Sequence, residues 1–443
     1  MNAHSMRKTN YFDGLVQARD QANGPDWLMA LRAAARARTD TLALPGARDE
    51  DWRFTDIAPL RKLSFHYPPP AHALTTADIQ AFLLPEAPTR LVFVNGSYAP
   101  QLSSLDRPPA GVAVTALRQA SAGHAALIET HLGRHARFDR DAFPALNTSL
   151  MDDGALIIAA KKTSAAQPIH VLFVTAAAAN GPVSAHPRCL VVAERGSECF
   201  LIEDYVSLSD GVYFNNPVTE IVVEDGARVR HIKLQRENRQ AFHIANSAIT
   251  LGRNAFYAGV SVAVGGRISR NDLQCLQTAD GAECALDGLT LIGGRQLADT
   301  HTTIDHAQAH GSSRQLNKCI VDGGAHAVFN GKIMVREHAQ QTDSAQSSRN
   351  LLLSDKARVD TKPQLEIFAD DVKCAHGATV GQLDVDELFY LKSRGLNDAT
   401  ARSLLIYAFA AEIIERIPVA SVKSRLQRLV MEQMHLEAIG GVQ

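Results

Sequence analysis

The sequence predicts a mainly β protein, a parallel β-solenoid with helical segments before and after it, on three observations. Between Ala155 and Asp370 no stretch holds a long helical period, so more than two hundred residues are left to strands and turns. Short β-rich runs of four to eight residues succeed one another through that span. A turn followed by a small residue also recurs about every thirty residues. Stacked rungs of that length bury a continuous core that no single rung could bury alone. A large irregular β-sandwich with ordinary Gly-Ala turns accommodates the same pattern. The 443-residue length, about three times a typical domain, favours the elongated arrangement.

The elements follow in chain order. Met1–Asn10 is polar and has no apolar core behind Arg7 and Lys8, unlike a secretory signal. Asn23-Gly24-Pro25-Asp26 starts a helix carrying Trp27, Leu28, Leu31, Ala34 and Ala35 to about Arg38. Leu44-Pro45-Gly46 breaks the pattern, Pro68-Pro69-Pro70 marks a rigid turn or linker, and Thr75-Thr76-Ala77-Asp78 opens a short helix. Strands are expected at Leu91–Asn95, Ala155–Ala160, His170–Thr175, Cys189–Glu194, Glu220–Glu224, Arg228–Leu234 and Ala248–Leu251. The repeated turn is read at Gly196, Gly226, Asn254, Gly281, Gly324 and Lys356, in steps of 30, 28, 27, 43 and 32.

After Gly381 the helical period returns. A short helix follows Asp384 with Leu388, Phe389 and Leu391 and ends at Gly395. A longer one, capped by Asn397 or Asp398, is expected to pack Leu405, Phe409 and Ile413 on the body and to stop before Pro418. A final basic helix, about Val422–Glu437, carries Lys423, Arg425 and Arg428. The chain thus divides into a helical region 1–88, a β-solenoid core 89–380 and a helical region 381–443.

Composition narrows function. Forty-five basic against 47 acidic residues leave no field to gather nucleic acid or anionic lipid, and only 6% of residues are aromatic, few for stacking on bases. No apolar run approaches the roughly 20 residues a bilayer span needs. The six cysteines are scattered and form no CxxC pair, which fits a cytosolic protein with reduced thiols. The nearest text to a phosphate loop, Asn330-Gly331-Lys332-Ile333, lacks the earlier glycine and the Ser or Thr that binds magnesium. No direct nucleotide binding is therefore expected.

Two segments could carry metal chemistry. Asp299, His301, Thr303 and Asp305 would share one strand face, with His306 close behind; they form either a ligand set or a polar ladder facing solvent. Cys374 and His376, two residues apart in Asp370-Asp371-Val372-Lys373-Cys374-Ala375-His376-Gly377, lie on one side of an extended segment. Thiolate with imidazole suits soft or borderline metals, iron–sulfur units among them. The pair supplies only two ligands, and a small buried Cys beside an incidental His is the plain alternative.

The run from Leu351-Leu352-Leu353-Ser354-Asp355 through Thr361-Lys362-Pro363-Gln364-Leu365-Glu366-Ile367 to Ala375-His376-Gly377-Ala378-Thr379-Val380-Gly381 resembles the SufB/SufD family of iron–sulfur cluster assembly scaffolds. Supporting stretches are Asp51-Trp52-Arg53-Phe54-Thr55, Phe93-Val94-Asn95-Gly96, Phe329-Asn330-Gly331-Lys332-Ile333, Ala339-Gln340-Gln341-Thr342 and Leu388-Phe389-Tyr390-Leu391 with Ser393-Arg394-Gly395. His376-Gly377-Ala378-Thr379 resembles the SufD branch; Ala375 departs from the serine common there. The resemblance implies a right-handed parallel β-helix flanked by N-terminal and C-terminal α-helical regions. It implies a non-catalytic cytoplasmic subunit that pairs with SufB through the β-helix and binds the ATPase SufC through its C-terminal helices. It also implies that Cys374 and His376 hold a transient iron–sulfur cluster at the SufB–SufD interface. On this basis, deleting Val419–Gln443 is expected to weaken SufC binding while leaving the β-helix folded. Two alternatives stand beside it: a polysaccharide-active β-helix enzyme with Asp370 and Asp371 as its carboxylates, and a homodimeric metal-binding scaffold acting without SufB.

Overall fold

The computed structural model describes Leu15 and residues 25–68, 74–120, 122–151, 153–176 and 181–440; Met1–Asn10, Asn23-Gly24 and Pro69-Pro70 lie outside the described residues. Two long sheets face each other. One is built from β1 (Thr89–Val94), edged by β2 (Ser97–Tyr98), then β5 (Ile169–Thr175), β8 (Glu198–Ser207), β11 (Arg228–Arg236), β13 (Phe256–Ala263), β15 (Glu283–Ile292), β17 (Ser312–Val321), β19 (Thr342–Leu352) and β21 (Val372–Gly381). The other runs from β3 (Val112–Ala116) through β4 (Gly154–Ala159), β7 (Arg188–Ala193), β10 (Val218–Val223), β12 (Phe242–Leu251), β14 (Ile268–Gln277) and β16 (Leu297–His306) to β18 (His326–Val335) and β20 (Arg358–Ile367). Short β6 (Val183–Ala185) and β9 (Tyr213–Asn215) pair beside β12. From β10 onward successive long strands alternate between the sheets, and apart from the β1–β2 and β3–β4 pairs their neighbours are parallel. The result is a parallel β-helix of about seven turns rather than a sandwich.

One corner shows why the rungs stack. It carries a left-handed residue on each turn: Lys162, Gly196, Gly226, Asn254, Gly281, His310 and Gln341. Each donates its backbone N–H to a carbonyl one rung further on, from Lys162 to Arg195 through to Gln341 to Asp371, at 2.6–3.1 Å. Ser197, Ala227, Ala255 and Ala282 follow directly and are wholly buried, since only a small side chain fits inside the bend. Two residues on, Cys199, Val229, Tyr257, Cys284, Ser313, Ser344 and Cys374 stand in one inter-strand register. The expected step of 43 was a crossing between corners. Gly324 and Lys356 belong to the opposite bend, and with His310 and Gln341 in the series the steps become 30, 28, 27, 29 and 31.

The early lumen is apolar, with Leu91, Ile157, Val171, Val191, Leu201, Ile221 and Ile249 packed between the sheets. Towards the far end polar residues such as Gln315, Asn317, Ser344, Gln346 and Ser348 are buried there instead. Helices cover the outer faces. α1 (Asp26–Thr39) meets α2 (Ala122–His131) and α3 (Ala142–Leu150), two helices that the sequence reading did not anticipate. α3 is capped by the Asp141 side chain and packs Phe143, Leu146 and Leu150 against Phe214, Phe242 and Ile268.

At the other end lie α4 (Val385–Ser393), capped by Asp384, α5 (Asp398–Ile414), capped by Asn397, and α6 (Ala420–Gly440). The buried face of α5 is Ile406, Ala410, Ile413 and Ile414. Leu405 is half-buried, and Phe409 lies beneath the Lys318 ammonium at 4.4 Å, so the face is rotated from the one expected. α6 buries Val422, Leu426 and Val430 in the same cluster as Ile202, Ile232 and Leu289. Two of its basic residues act inside the molecule, Lys423 pairing with Glu415 and Arg425 donating to the Phe82 and Leu83 carbonyls, while Arg428 is exposed. Burial of those three apolar side chains is worth roughly 5 kcal/mol or more. Deleting Val419–Gln443 would therefore strip a core layer, not merely remove a docking helix.

Candidate functional site

No described strand pairs beyond the last turn of the solenoid. Among the described residues, β21 pairs only with β19 and β20 only with β18, so each presents one unpaired backbone edge. Parallel register carries the inward alternation of β19 onto β21: Ser344 faces Cys374, and Gln346 faces His376. Ser344 and Gln346 are buried in the lumen, so Cys374 and His376 take up the same inward face one rung later, at the open end.

Cys374 is half-buried against a small cluster of Ile333, Val335, Ala339 and Ala369. Burial pushes its thiol pKa up; the Ser344 backbone N–H pulls it down, and Asp343 pushes it up again. The thiol thus favours its protonated form until a cation compensates the thiolate. His376 is exposed. Among the described residues no three His, Cys, Asp or Glu side chains are grouped to hold a metal ion. Sulfur and nitrogen stand two residues apart on one face of the edge strand, a pair that could ligate a soft metal only with further groups supplied from elsewhere.

A second layer lies beneath the pair. His306 contacts Ser313 Oγ through Nε2 at 3.0 Å, and Ser313 contacts Ser344 at 2.6 Å. Burial drives the His306 imidazole down to about 4, against a weaker upward pull from Asp305. Asp370 and Asp371 sit exposed in the turn between β20 and β21, where the Asp371 backbone N–H is bound by Gln340 Oε1 at 2.9 Å.

Asp299 and His301 do share the outward face of β16, as alternation predicts, yet they do not form a solvent ladder. Both are buried beneath the N-terminal segment. Asp299 accepts from Thr55 Oγ1 and from Arg270, and His301 Nε2 stands 3.0 Å from its Oδ1. Arg270 lies 4.0 Å from the Trp52 ring and donates to the Asp51 carbonyl at 2.8 Å. The cluster clamps Asp51-Trp52-Arg53-Phe54-Thr55 to the solenoid. Sequence reasoning missed Arg270, which stands in register with Asp299 one rung earlier but meets the Asp51–Thr55 segment only through the fold. Asn330-Gly331-Lys332 lies within β18, where Lys332 pairs with Glu366 at 2.7 Å.

Two exposed apolar groups were also missed. Ile367, Phe368 and Val380 border the open end, and Val385, Phe389 and Tyr390 of α4 stand out with Leu404 of α5. Both groups are short and lie beside polar residues, so neither was visible as a run. No helix of the described residues is long and apolar enough to cross a membrane.

Comparison with known proteins sets this geometry in context. The family model for the SUF system FeS cluster assembly SufBD core domain matches residues 173–409, and that for the SufBD protein N-terminal region matches 7–171. The chain is 41% identical over 412 residues to an iron–sulfur cluster assembly SufBD family protein of Synechocystis, covering 91% of this chain and 90% of that one. It is 33% identical over 384 residues to the iron–sulfur cluster assembly protein SufD of Escherichia coli, covering 86% and 88%. The SufD protein of Bacillus subtilis is 26% identical over 418 residues, covering 92% and 94%.

Proposed function

The chain belongs to the SufBD family of the SUF iron–sulfur cluster assembly system, and from that premise we propose that it is a non-catalytic, SufD-type scaffold subunit acting in the cytoplasm. Its open β-helix end pairs with the corresponding end of SufB. An iron–sulfur cluster, the cargo of the assembly, forms between them with Cys374 and His376 among its ligands. The observation that carries this reading is the placement of a thiol and an imidazole as inward neighbours on an uncovered edge strand. Two ligands on one side and a row of unpaired backbone groups call for a partner that supplies both the missing ligands and the missing strands. The rim of Ile367, Phe368 and Val380 gives that junction apolar area.

The ATPase SufC docks on the C-terminal helical region, at α4 rather than at the final helix. Val385, Phe389 and Tyr390 are 56–76% exposed there, whereas α6 is engaged with the body. SufC supplies ATP hydrolysis, and this chain transmits the resulting motion to the interface. Co-expression with SufB and SufC, followed by purification on a tag carried by this chain, tests the assignment. Both partners should co-purify with iron and acid-labile sulfide. A chain that self-associates and retains neither partner would refute it and favour the homodimeric scaffold.

A further inference from the structure

Beneath His376 a chain of buried side chains ends in an acceptor with nothing to accept. Thr302, Gln315 and Gln346 are all buried in the lumen. Gln315 donates its Nε2–H to Thr302 Oγ1 at 2.8 Å, and Gln346 donates its Nε2–H to Gln315 Oε1 at 2.7 Å. These bonds fix the orientation of the Gln346 amide, because its nitrogen end is engaged by an acceptor. The glycine at 331 makes the room: a Cβ there would lie 2.3 Å from Gln346 Nε2. Gln346 Oε1 is left buried, with no hydrogen-bond partner among the described residues. A buried acceptor in that state costs about 1–3 kcal/mol. Native proteins generally retain such a group because something satisfies it.

The register names a candidate donor. His376 stands directly opposite Gln346 on the same inward face of the next strand, a strand spacing of about 4.8 Å away. We propose that Gln346 is a positioning residue: its Oε1 accepts the N–H of the His376 imidazole. That bond holds the neutral ring in one tautomer and turns the lone pair of the other nitrogen out of the open end. Ligating imidazoles are commonly oriented by such a partner on the opposite nitrogen. The inference rests on reading His376 as a ligand, but its structural content concerns the metal-free chain.

The test uses the full-length, metal-free protein with 15N-labelled histidine, at alkaline pH where the rings are neutral. Long-range proton–nitrogen spectra report the tautomer, and His376→Ala assigns the signal. Wild type should show a single tautomer, Gln346→Leu a mixture of both, and Gln346→Glu, which keeps an acceptor, a single tautomer again. If Gln346→Leu lowers the melting temperature sharply, Gln346→Met takes its place with the same expectation. An unchanged tautomer in the variant lacking an acceptor, or a mixture already present in wild type, overturns the proposal and assigns a water molecule to Gln346 Oε1. In the assembled complex, Gln346→Leu should also weaken iron retention about 10-fold, the usual effect of losing such a partner. The two ideas fail separately. Normal cluster content in His376→Ala would remove the ligand role and leave the tautomer result standing.

Discussion

Replacing Asp299 by Asn should loosen the N-terminal segment from the solenoid at a cost of several kcal/mol. The carboxylate accepts from Thr55 and Arg270 and faces His301, so three groups lose their anionic partner at once. Asparagine can keep its oxygen towards Thr55 and Arg270, which reach the same carboxylate oxygen, but it removes the negative charge and sets an amide N–H against the His301 ring nitrogen. Arg270, only 2% exposed, would retain Asp272 at 3.5 Å as its one ionic contact among the described residues. Breaking a buried pair from one side costs about 3–5 kcal/mol, a large share of the ~5–15 kcal/mol that holds a typical domain.

The same site predicts an acid dependence. Burial alone would raise the Asp299 carboxyl, but Arg270, with His301 and Thr55, outweighs it and holds the group at about 2 against 3.8. The folded value lies below the unfolded one. The stabilisation is therefore complete above about pH 4 and fades as pH falls towards 2, with a total of order 2 kcal/mol. Urea denaturation at neutral pH, read as a midpoint shift at constant slope, measures the loss. Limited proteolysis at Arg53 should become faster in the variant. A loss below about 1 kcal/mol, or an arm still protected, would refute the clamp.

Four further outcomes follow from particular groups. His306 sits at about 4 in the fold against an ordinary 6.5, so the unfolded chain takes up the proton first; its stabilisation is present above pH 6.5 and lost as pH falls to about 4. His306→Gln should flatten the stability profile over that window, which otherwise falls by about 3 kcal/mol, and a profile with its slope intact would contradict the assignment. Gly226→Ala should cost about 1 kcal/mol in urea, because φ is +66° although a Cβ there meets nothing within 4 Å. Gly154→Ala should yield no folded protein, since its Cβ would lie 1.4 Å from the Arg188 carbonyl of the neighbouring strand; equal effects of the two would sink the distinction between a glycine kept for its backbone angle and one kept for room. Phe389→Asp, on the exposed face of α4, should leave the melting temperature unchanged yet weaken SufC association at least 10-fold, and unchanged binding by calorimetry would move the docking site elsewhere.

What the sequence disclosed follows from how local each signal is. Strand runs and glycine corners are local, so most of the solenoid was readable, as was the shared face of Cys374 and His376. The corners at His310 and Gln341 were not, because both hold a left-handed backbone without the glycine that usually announces it. The rung ladder imposes that conformation against a local cost of about 1–2 kcal/mol. The Asp299 clamp escaped notice because Thr55 and Arg270 are hundreds of residues apart and meet only through the fold. The α5 face was rotated for a similar reason: Lys318 draws Phe409 to the rim, which composition alone does not reveal.

The central claim is that Cys374 and His376 of this chain hold part of the cluster at an interface shared with SufB. The most direct measurement is the iron and acid-labile sulfide content of complexes purified with wild-type chain and with the Cys374→Ala, His376→Ala double variant, each with SufB and SufC quantified. The account predicts normal partner stoichiometry with iron and sulfide reduced several-fold in the double variant. Wild-type iron and sulfide in that variant would contradict the ligand assignment, and loss of SufB itself would make the pair a packing element of the interface.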